Sequence, residues 1–247
     1  MLDRRESALV TRFRVKQGTL FIDLGARRRI LSSAPRGGGL MRARCILNHQ
    51  VPANPIMCRV PGATGAWCDP ARYLGMLTGR IGSDHRCVAL MTAVPLDRLV
   101  TLREEQDGLW VEGFFTVGVS NAVRAGEPVV SSHDGRVRPG AGTINIILVT
   151  NARLSSSAMV GAVQVATESK TAVLLAKGVP SWTRRPGATG TGTDAVVIAC
   201  GNGPTLRYSG THTPIGAMIG RLVCRGVREG LLRSSRRYRR AAGKKLV

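Results

Sequence analysis

Three polar clusters interrupt otherwise apolar stretches of the chain, and each carries residue types that could attack a carbonyl, move a proton or stabilise an oxyanion. Ser120 and Asn121 directly follow the apolar run 114–119, with Asn145 and Asn151 on or beside the next such run. An activated hydroxyl is a nucleophile and an amide can orient a substrate, although turns use the same residues to satisfy their own backbone. Glu168 and Lys170, followed by Thr171, sit midway along an apolar helical stretch, where a carboxylate and an ammonium must reach solvent or pair within a cleft. Glu168 and Thr171 share one helix face, and an exposed polar stripe is the plainer alternative. The run GTGTD supplies Gly190, Thr191, Gly192, Thr193 and Asp194 just before a buried strand. Its glycines permit tight turns and bare backbone N–H groups that can cradle an anion or oxyanion, though such a loop can also be only a turn. No GxxxxGK[ST] occurs, which argues against ATP-driven chemistry. His212, in YSGTHTPIG, is one of 4 histidines and lies between a glycine turn and a helix start. Imidazole titrates near neutrality and is the commonest general base, while a lone histidine is more often structural.

The elements that must position these residues follow from periodicity and punctuation. Residues 20–24 and 29–32 are short apolar-rich runs separated by Gly25 and Ala26, which predicts a hairpin. A loop with Gly37, Gly38 and Gly39 follows, then a strand over 45–51; closely spaced prolines exclude regular structure over 52–61. Asp69 as N-cap and Pro70 in the first turn predict a helix through about residue 78. Strands are expected over 86–94, 111–119, 143–150 and 194–200, with helices from Ser155 to about Lys177 and from Pro214 to near Leu232. The repeated PGATG at 61–65 and 186–190 leads into different elements and is coincidental. The fold class is therefore α/β: a single domain with a mixed β-sheet core, in one or two sheets, flanked by helices.

A net charge of +21 at first suggests nucleic acid, since clustered Lys and Arg release counterions from phosphates. Its distribution weighs against that partner. Residues 45–220 hold 15 basic and 11 acidic residues, so most of the excess lies in the first 44 residues, including Arg27, Arg28 and Arg29, and in the last 27. These ends read as solvated arms, and aromatics are sparse at 4%. The 6 cysteines form no CxxC pair, so neither a zinc knuckle nor a dithiol redox site is indicated and most should be buried thiols. No signal-peptide pattern and no apolar run of membrane-spanning length is present, so a cytoplasmic protein with no membrane partner is expected. General grounds of symmetry admit a homo-oligomer.

Six stretches of this sequence, in this order, resemble the adenosylcobinamide amidohydrolases. They are RRILSSAPRGGGLMRARCILNHQVP (28–52), ALMTAV (89–94), TVGVSNAVRAG (116–126), TINIILVTNARLSSSAMVGAVQVATESKTAVL (143–174), GTGTDAVVIA (190–199) and THTPIGAMIG (211–220). The resemblance covers about residues 28–231 and implies an enzyme domain over 28–232. It leaves a basic N-terminal segment, 1–27, that joins the fold from about residue 18, and a basic tail, 233–247, which it does not explain.

It also implies an enzyme that hydrolyses adenosylcobinamide to adenosylcobyric acid and 1-aminopropan-2-ol during corrinoid salvage toward coenzyme B12. The corrinoid is then the substrate, held in an open cleft with apolar walls, and no cofactor is required. Amide hydrolysis assigns Glu168, Asp194 and His212 to proton transfer and water activation, with Thr193 or Ser120 as a covalent nucleophile. Backbone N–H groups of Gly37, Gly38 and Gly39, or of Gly190, Thr191 and Gly192, would hold the oxyanion, and Lys170 would neutralise Glu168 or assist there. A second scheme makes His212, Asp194 and Glu168 ligands of a divalent metal. A corrinoid-binding module without catalysis and a basic nucleic-acid-binding protein are the readings from other classes.

Overall fold

The computed structural model describes residues 9–53, 69–80, 87–128 and 140–242, and of residues 235–242 the main chain alone. Cys58, Cys68, most of the proline-rich stretch 52–61, the first PGATG and the greater part of the loop 126–142 lie outside the described residues. Twelve strands occur among those described: β1 (Arg12–Lys16), β2 (Thr19–Ser32), β3 (Gly39–Gln50), β4 (Cys87–Thr92), β5 (Val100–Gln106), β6 (Leu109–Val117), β7 (Ala122–Val123), β8 (Ile144–Thr150), β9 (Arg153–Leu154), β10 (Gly190–Thr191), β11 (Ala195–Ala199) and β12 (Thr205–Leu206). Three α-helices accompany them: α1 (Pro70–Arg80), α2 (Ser156–Ala176) and α3 (Pro214–Ala242).

Eight strands form one mixed sheet in the order β4-β3-β2-β11-β8-β6-β5, with β1 also paired to β2; β7–β10 and β9–β12 are two-stranded annexes. The β8–β11 and β3–β4 pairs are parallel and the remaining ladders of the sheet antiparallel. The strand β8, INIILVT, is buried along its whole length because both of its faces are covered. Ile144, Ile146 and Leu148, with Val196 and Ile198, pack under α2 and α3. Ile147 and Val149, with Val197, instead meet Leu20, Ile22, Ile46, Val88 and Leu90. The sheet thus bends so that the early half of β2, the late half of β3 and β4 cross over its own other face, and α1 covers them from outside through Leu74. Each fully buried Leu, Ile or Val contributes roughly 1.5–3 kcal/mol, and these layers hold most of them.

Most expected elements form, with three departures. Residues 20–32 are not a hairpin: Gly25, at φ +75°, lies within a register shift between Asp23 and Arg28, and β2 runs on through it. A bulge with a glycine in the left-handed region adds twist and bend without reversing the chain. The charged runs RFRVK and VTLREEQ form β1 and β5, which no sequence pattern marked; β1 is an exposed edge and β5 buries only Val100 and Leu102. The last helix continues to Ala242 instead of ending near Leu232, so the basic tail is helical for much of its length, and the basic N-terminal part joins the sheet from Arg12. Neither end is thus simply a solvated arm. Cys45 and Cys87, directly opposed in β3 and β4 with Cα atoms 5.1 Å apart, form a disulfide, correcting the expectation of a thiol at both positions. Cys200 is a buried thiol. Among the described residues no helix is long and apolar enough to cross a membrane.

Candidate active site

The parallel pair β8–β11 presents two N-terminal ends side by side, and the loops that surround them carry most of the polar clusters seen in the sequence. Strand alternation decides which way each residue turns. Asp194, in phase with Val196 and Ile198, faces α2, where Lys170 shares the inward face with Ala166, Val173 and Leu174. Lys170 Nζ donates to Asp194 Oδ2 at 2.5 Å, and both side chains are largely buried. Asp194 also accepts from Thr191 N (3.0 Å), Thr191 Oγ1 (2.5 Å) and Ile144 N (2.9 Å). With these four donors Asp194 holds Lys170 and clamps the GTGTD loop to the start of β8. Gly190 makes this approach feasible, since a Cβ there would lie 2.5 Å from Asp194 Oδ2 and 2.7 Å from Lys170 Nζ.

Three further side chains converge on Gly142, just before β8. Thr193 Oγ1 donates to Gly142 O at 3.1 Å, and a Cβ on Gly142 would meet Asn121 Oδ1 at 2.6 Å and Ser120 Oγ at 2.8 Å. Ser120 Oγ donates to Ala141 O at 2.8 Å. Ser120 and Thr193 are exposed hydroxyls, whereas Asn121 Oδ1 is a buried oxygen with no hydrogen-bond donor among the described residues. Such an orphan acceptor costs stability and marks a place where a donor is expected to arrive.

Behind these loops the inner face of the sheet carries a buried amide network. Asn145 Nδ2 donates to Asn48 Oδ1 (3.0 Å) and Met91 O (2.8 Å), Asn48 Nδ2 donates to Thr116 Oγ1 (3.1 Å), and Thr143 Oγ1 donates to Thr193 O (2.8 Å). Asn48, Thr116 and Thr143 were not singled out in the sequence. Their signal was a polar residue in the inward phase of an apolar strand, Asn48 with Ile46 and Thr116 with Phe114, which period-2 alternation could have exposed. On the outward phase of β3, His49 bridges Thr19 Oγ1 and Tyr73 OH, and burial holds its pKa below the ordinary histidine value.

Ser120, Asn121, Asn145, Lys170, Thr171, Gly190, Thr191, Gly192, Thr193 and Asp194 therefore gather at one end of the sheet, Thr171 through its bond to Thr189 O. Other expected members do not join them. Glu168 lies two residues from Lys170, on the opposite side of α2, where it is exposed and accepts from Gln164; Lys170 neutralises Asp194 instead. His212 is exposed in the loop before α3, beside Ser209, which bonds Ala158 in the first turn of α2. From Ala158 to Lys170 the helix runs about 18 Å. Glu168, Asp194 and His212 therefore form neither one proton-transfer set nor one metal site, and no group of three or more His, Cys, Asp or Glu suited to a metal occurs among the described residues. Asn151 caps the other end of β8, joining Trp110 N and Gly108 O, whereas Gly37, Gly38 and Gly39 lie at the turn between β2 and β3 beside the start of β11, Gly37 and Gly38 against the main chain of Cys87 and Ala34.

Comparison with known proteins agrees with the sequence resemblance. Residues 4–239 match the family described as adenosylcobinamide amidohydrolase. An uncharacterized protein of Methanocaldococcus jannaschii is 32% identical over 234 residues, 88% of this chain and 87% of that protein. The adenosylcobinamide amidohydrolase of Methanosarcina mazei is 34% identical over 206 residues, 78% of this chain and 86% of its own. A Burkholderia β-aminopeptidase structure aligns at 14% identity and a TM-score of 0.43 over 87% of this chain and 79% of that one, too distant to inform the chemistry. With almost its whole length matched, the chain belongs to the adenosylcobinamide amidohydrolase family, hydrolases that act on an amide in corrinoid salvage.

Proposed function

We propose that this enzyme cleaves the aminopropanol amide of adenosylcobinamide, releasing adenosylcobyric acid and 1-aminopropan-2-ol, at the end of β8–β11 built around Gly142. The observation that carries the placement is the convergence there of two exposed hydroxyls and the unpaired Asn121 Oδ1. A corrinoid carries many amide N–H groups, and one of them, from the scissile amide or a neighbouring side chain, supplies the donor that Asn121 lacks. A cleft of about 350 Å³, lined by Arg124, Gly126, Glu127, Pro128, Arg185 and Pro186, adjoins the site through β7 and β10.

In the covalent route, the hydroxyl of Thr193 or Ser120 bonds to the amide carbon, the C–N bond breaks, and the hydroxyl proton goes to the departing amine. Water then hydrolyses the ester, regenerating the hydroxyl and leaving the carboxylic acid. The alternative is direct attack by water oriented by the same hydroxyls. In both, the Lys170–Asp194 pair keeps the loop in place, and Gly192, exposed at the turn, offers main-chain N–H to the oxyanion.

The test is incubation of the full chain with adenosylcobinamide without ATP, following corrinoid mass and free aminopropanol. Hydrolysis that is lost in Thr193→Val or in Ser120→Ala supports the site and names the hydroxyl. Unchanged substrate, with and without divalent metal, overturns the assigned reaction. Full activity in both variants moves the chemistry away from Gly142.

A further inference from the structure

We propose a second binding site, for a small anion carrying a chain of two or more phosphates, at the opposite end of the same strands. A cavity of about 460 Å³ opens there among Arg27, Arg29, Arg42, Arg153, Cys200 and Asn202. Among the described residues no carboxylate lines it. Arg29 and Arg42 are direct cross-strand partners in β2 and β3, an arrangement in which like charges repel. Some arginines elsewhere find acids, Arg44 with Asp23, Arg103 with Glu105 and Glu112, Arg185 with Glu127, and Arg221 and Arg225 with Glu104. Arg29, Arg42 and Arg153 have no carboxylate partner among the described residues.

Arg29 is also held in place. It donates to Leu154 O at 3.2 Å and to Ser156 Oγ at 2.9 Å, in the first turn of α2. The positive end of that helix adds to the field of the guanidiniums instead of relieving it. Burial keeps the Cys200 thiol neutral by raising its pKa, so it brings no compensating charge. A concave site with the guanidiniums of Arg29, Arg42 and Arg153 on three strands fits a compact multivalent oxyanion, which can accept from several planar forks at once. A nucleic-acid backbone calls for an extended basic stripe, whereas these arginines line one concave pocket.

The probes are inorganic pyrophosphate, ADP and a short DNA duplex, titrated calorimetrically into the full chain at 150 mM salt. Pyrophosphate is expected to bind, about tenfold or more weakly in Arg42→Gln/Arg153→Gln, and more weakly still in Arg29→Gln. The charge-matched control Arg236→Gln/Arg239→Gln, at the far end of α3, should leave that affinity unchanged. Tighter binding of ADP than pyrophosphate identifies a nucleotide as the ligand, and equal binding identifies the phosphate chain itself. Equal pyrophosphate affinity in wild type and the cavity variants overturns the site, as does binding of the duplex alone with loss only in the α3 control. Because Arg42→Gln/Arg153→Gln removes repulsion without removing a bond, its melting temperature without anion should equal or exceed that of wild type, which separates lost binding from lost folding.

Discussion

The two ends of the β8–β11 pair solve the problem of buried polarity in opposite ways. At the N-terminal end, one carboxylate meets one ammonium and three hydroxyl or amide donors, and the amides of Asn48 and Asn145 pair with each other. Among the described residues nearly every group is matched from within the chain, and the exception, Asn121 Oδ1, stands at the proposed substrate position. At the C-terminal end, Arg29, Arg42 and Arg153 gather with no carboxylate partner among the described residues. A balanced network supports folding by itself, whereas an unbalanced cluster costs stability until something external completes it. The comparison teaches that an unmatched group, more than a dense cluster, is what distinguishes a binding position from a structural one.

The largest expected effect tests the balance itself. Asp194→Ala leaves the Lys170 ammonium buried without its carboxylate and should cost about 3–5 kcal/mol in urea denaturation. Lys170→Met should cost less, since Asp194 keeps three donors; an equal or greater loss would show that the ammonium, not the carboxylate, organises the loop. Next, Gly190→Ala drives a methyl between the pair and should destabilise by about 1–3 kcal/mol, with hydrolysis falling alongside. Asn121→Leu separates folding from function: removing an unpaired acceptor should leave the melting temperature unchanged or higher, while hydrolysis drops about tenfold or more. If activity survives, the orphan oxygen is not a substrate contact. At the arginine end, Arg42→Gln should leave hydrolysis and stability untouched while weakening pyrophosphate binding, and loss of hydrolysis would join the two ends into one site.

The smallest effect concerns the support behind the amide network. His49 lies beside Asn48 on the outward phase of β3 and ties β2 to α1, with its pKa lowered by burial. The unfolded chain therefore takes up this proton more readily than the native one, and stability should fall as pH drops through and below the ordinary histidine value of about 6.5. His49→Gln should flatten that part of the stability profile; an unchanged slope would assign the acid sensitivity to other groups.

Much of this organisation was legible from residues alone. Ser155 as N-cap of α2, Asp69 before α1 and Pro214 at the start of α3 all behave as their types dictate, because caps depend on three or four consecutive residues. The GTGTD loop and the Lys170 region were visible as polar interruptions, and they do meet. The partner of Lys170 was not visible, because choosing between Glu168 and Asp194 requires knowing which helix face meets the sheet. His212 stood out by type, yet its loop belongs to the far end of β11. The bend in β2 was concealed by Gly25, which serves a turn or a bulge equally well until the register is set by β3. Charge misled in the same way: Arg27, Arg29 and Arg42 counted as part of a basic arm, and became a cavity wall once β2 and β3 paired.

What the sequence by itself determined is the family, the α/β class, the helix starts and the set of residue types available for amide chemistry, since each follows from local pattern or from motifs held in order. Only the tertiary structure decided which of them act together. Strand order, register and helix rotation bring residues 50 to 100 positions apart within hydrogen-bond distance, as they do for Asn48 with Asn145 and Ile144 with Asp194. Those choices rest on packing of both faces of one sheet, a property of the whole chain that no short stretch contains.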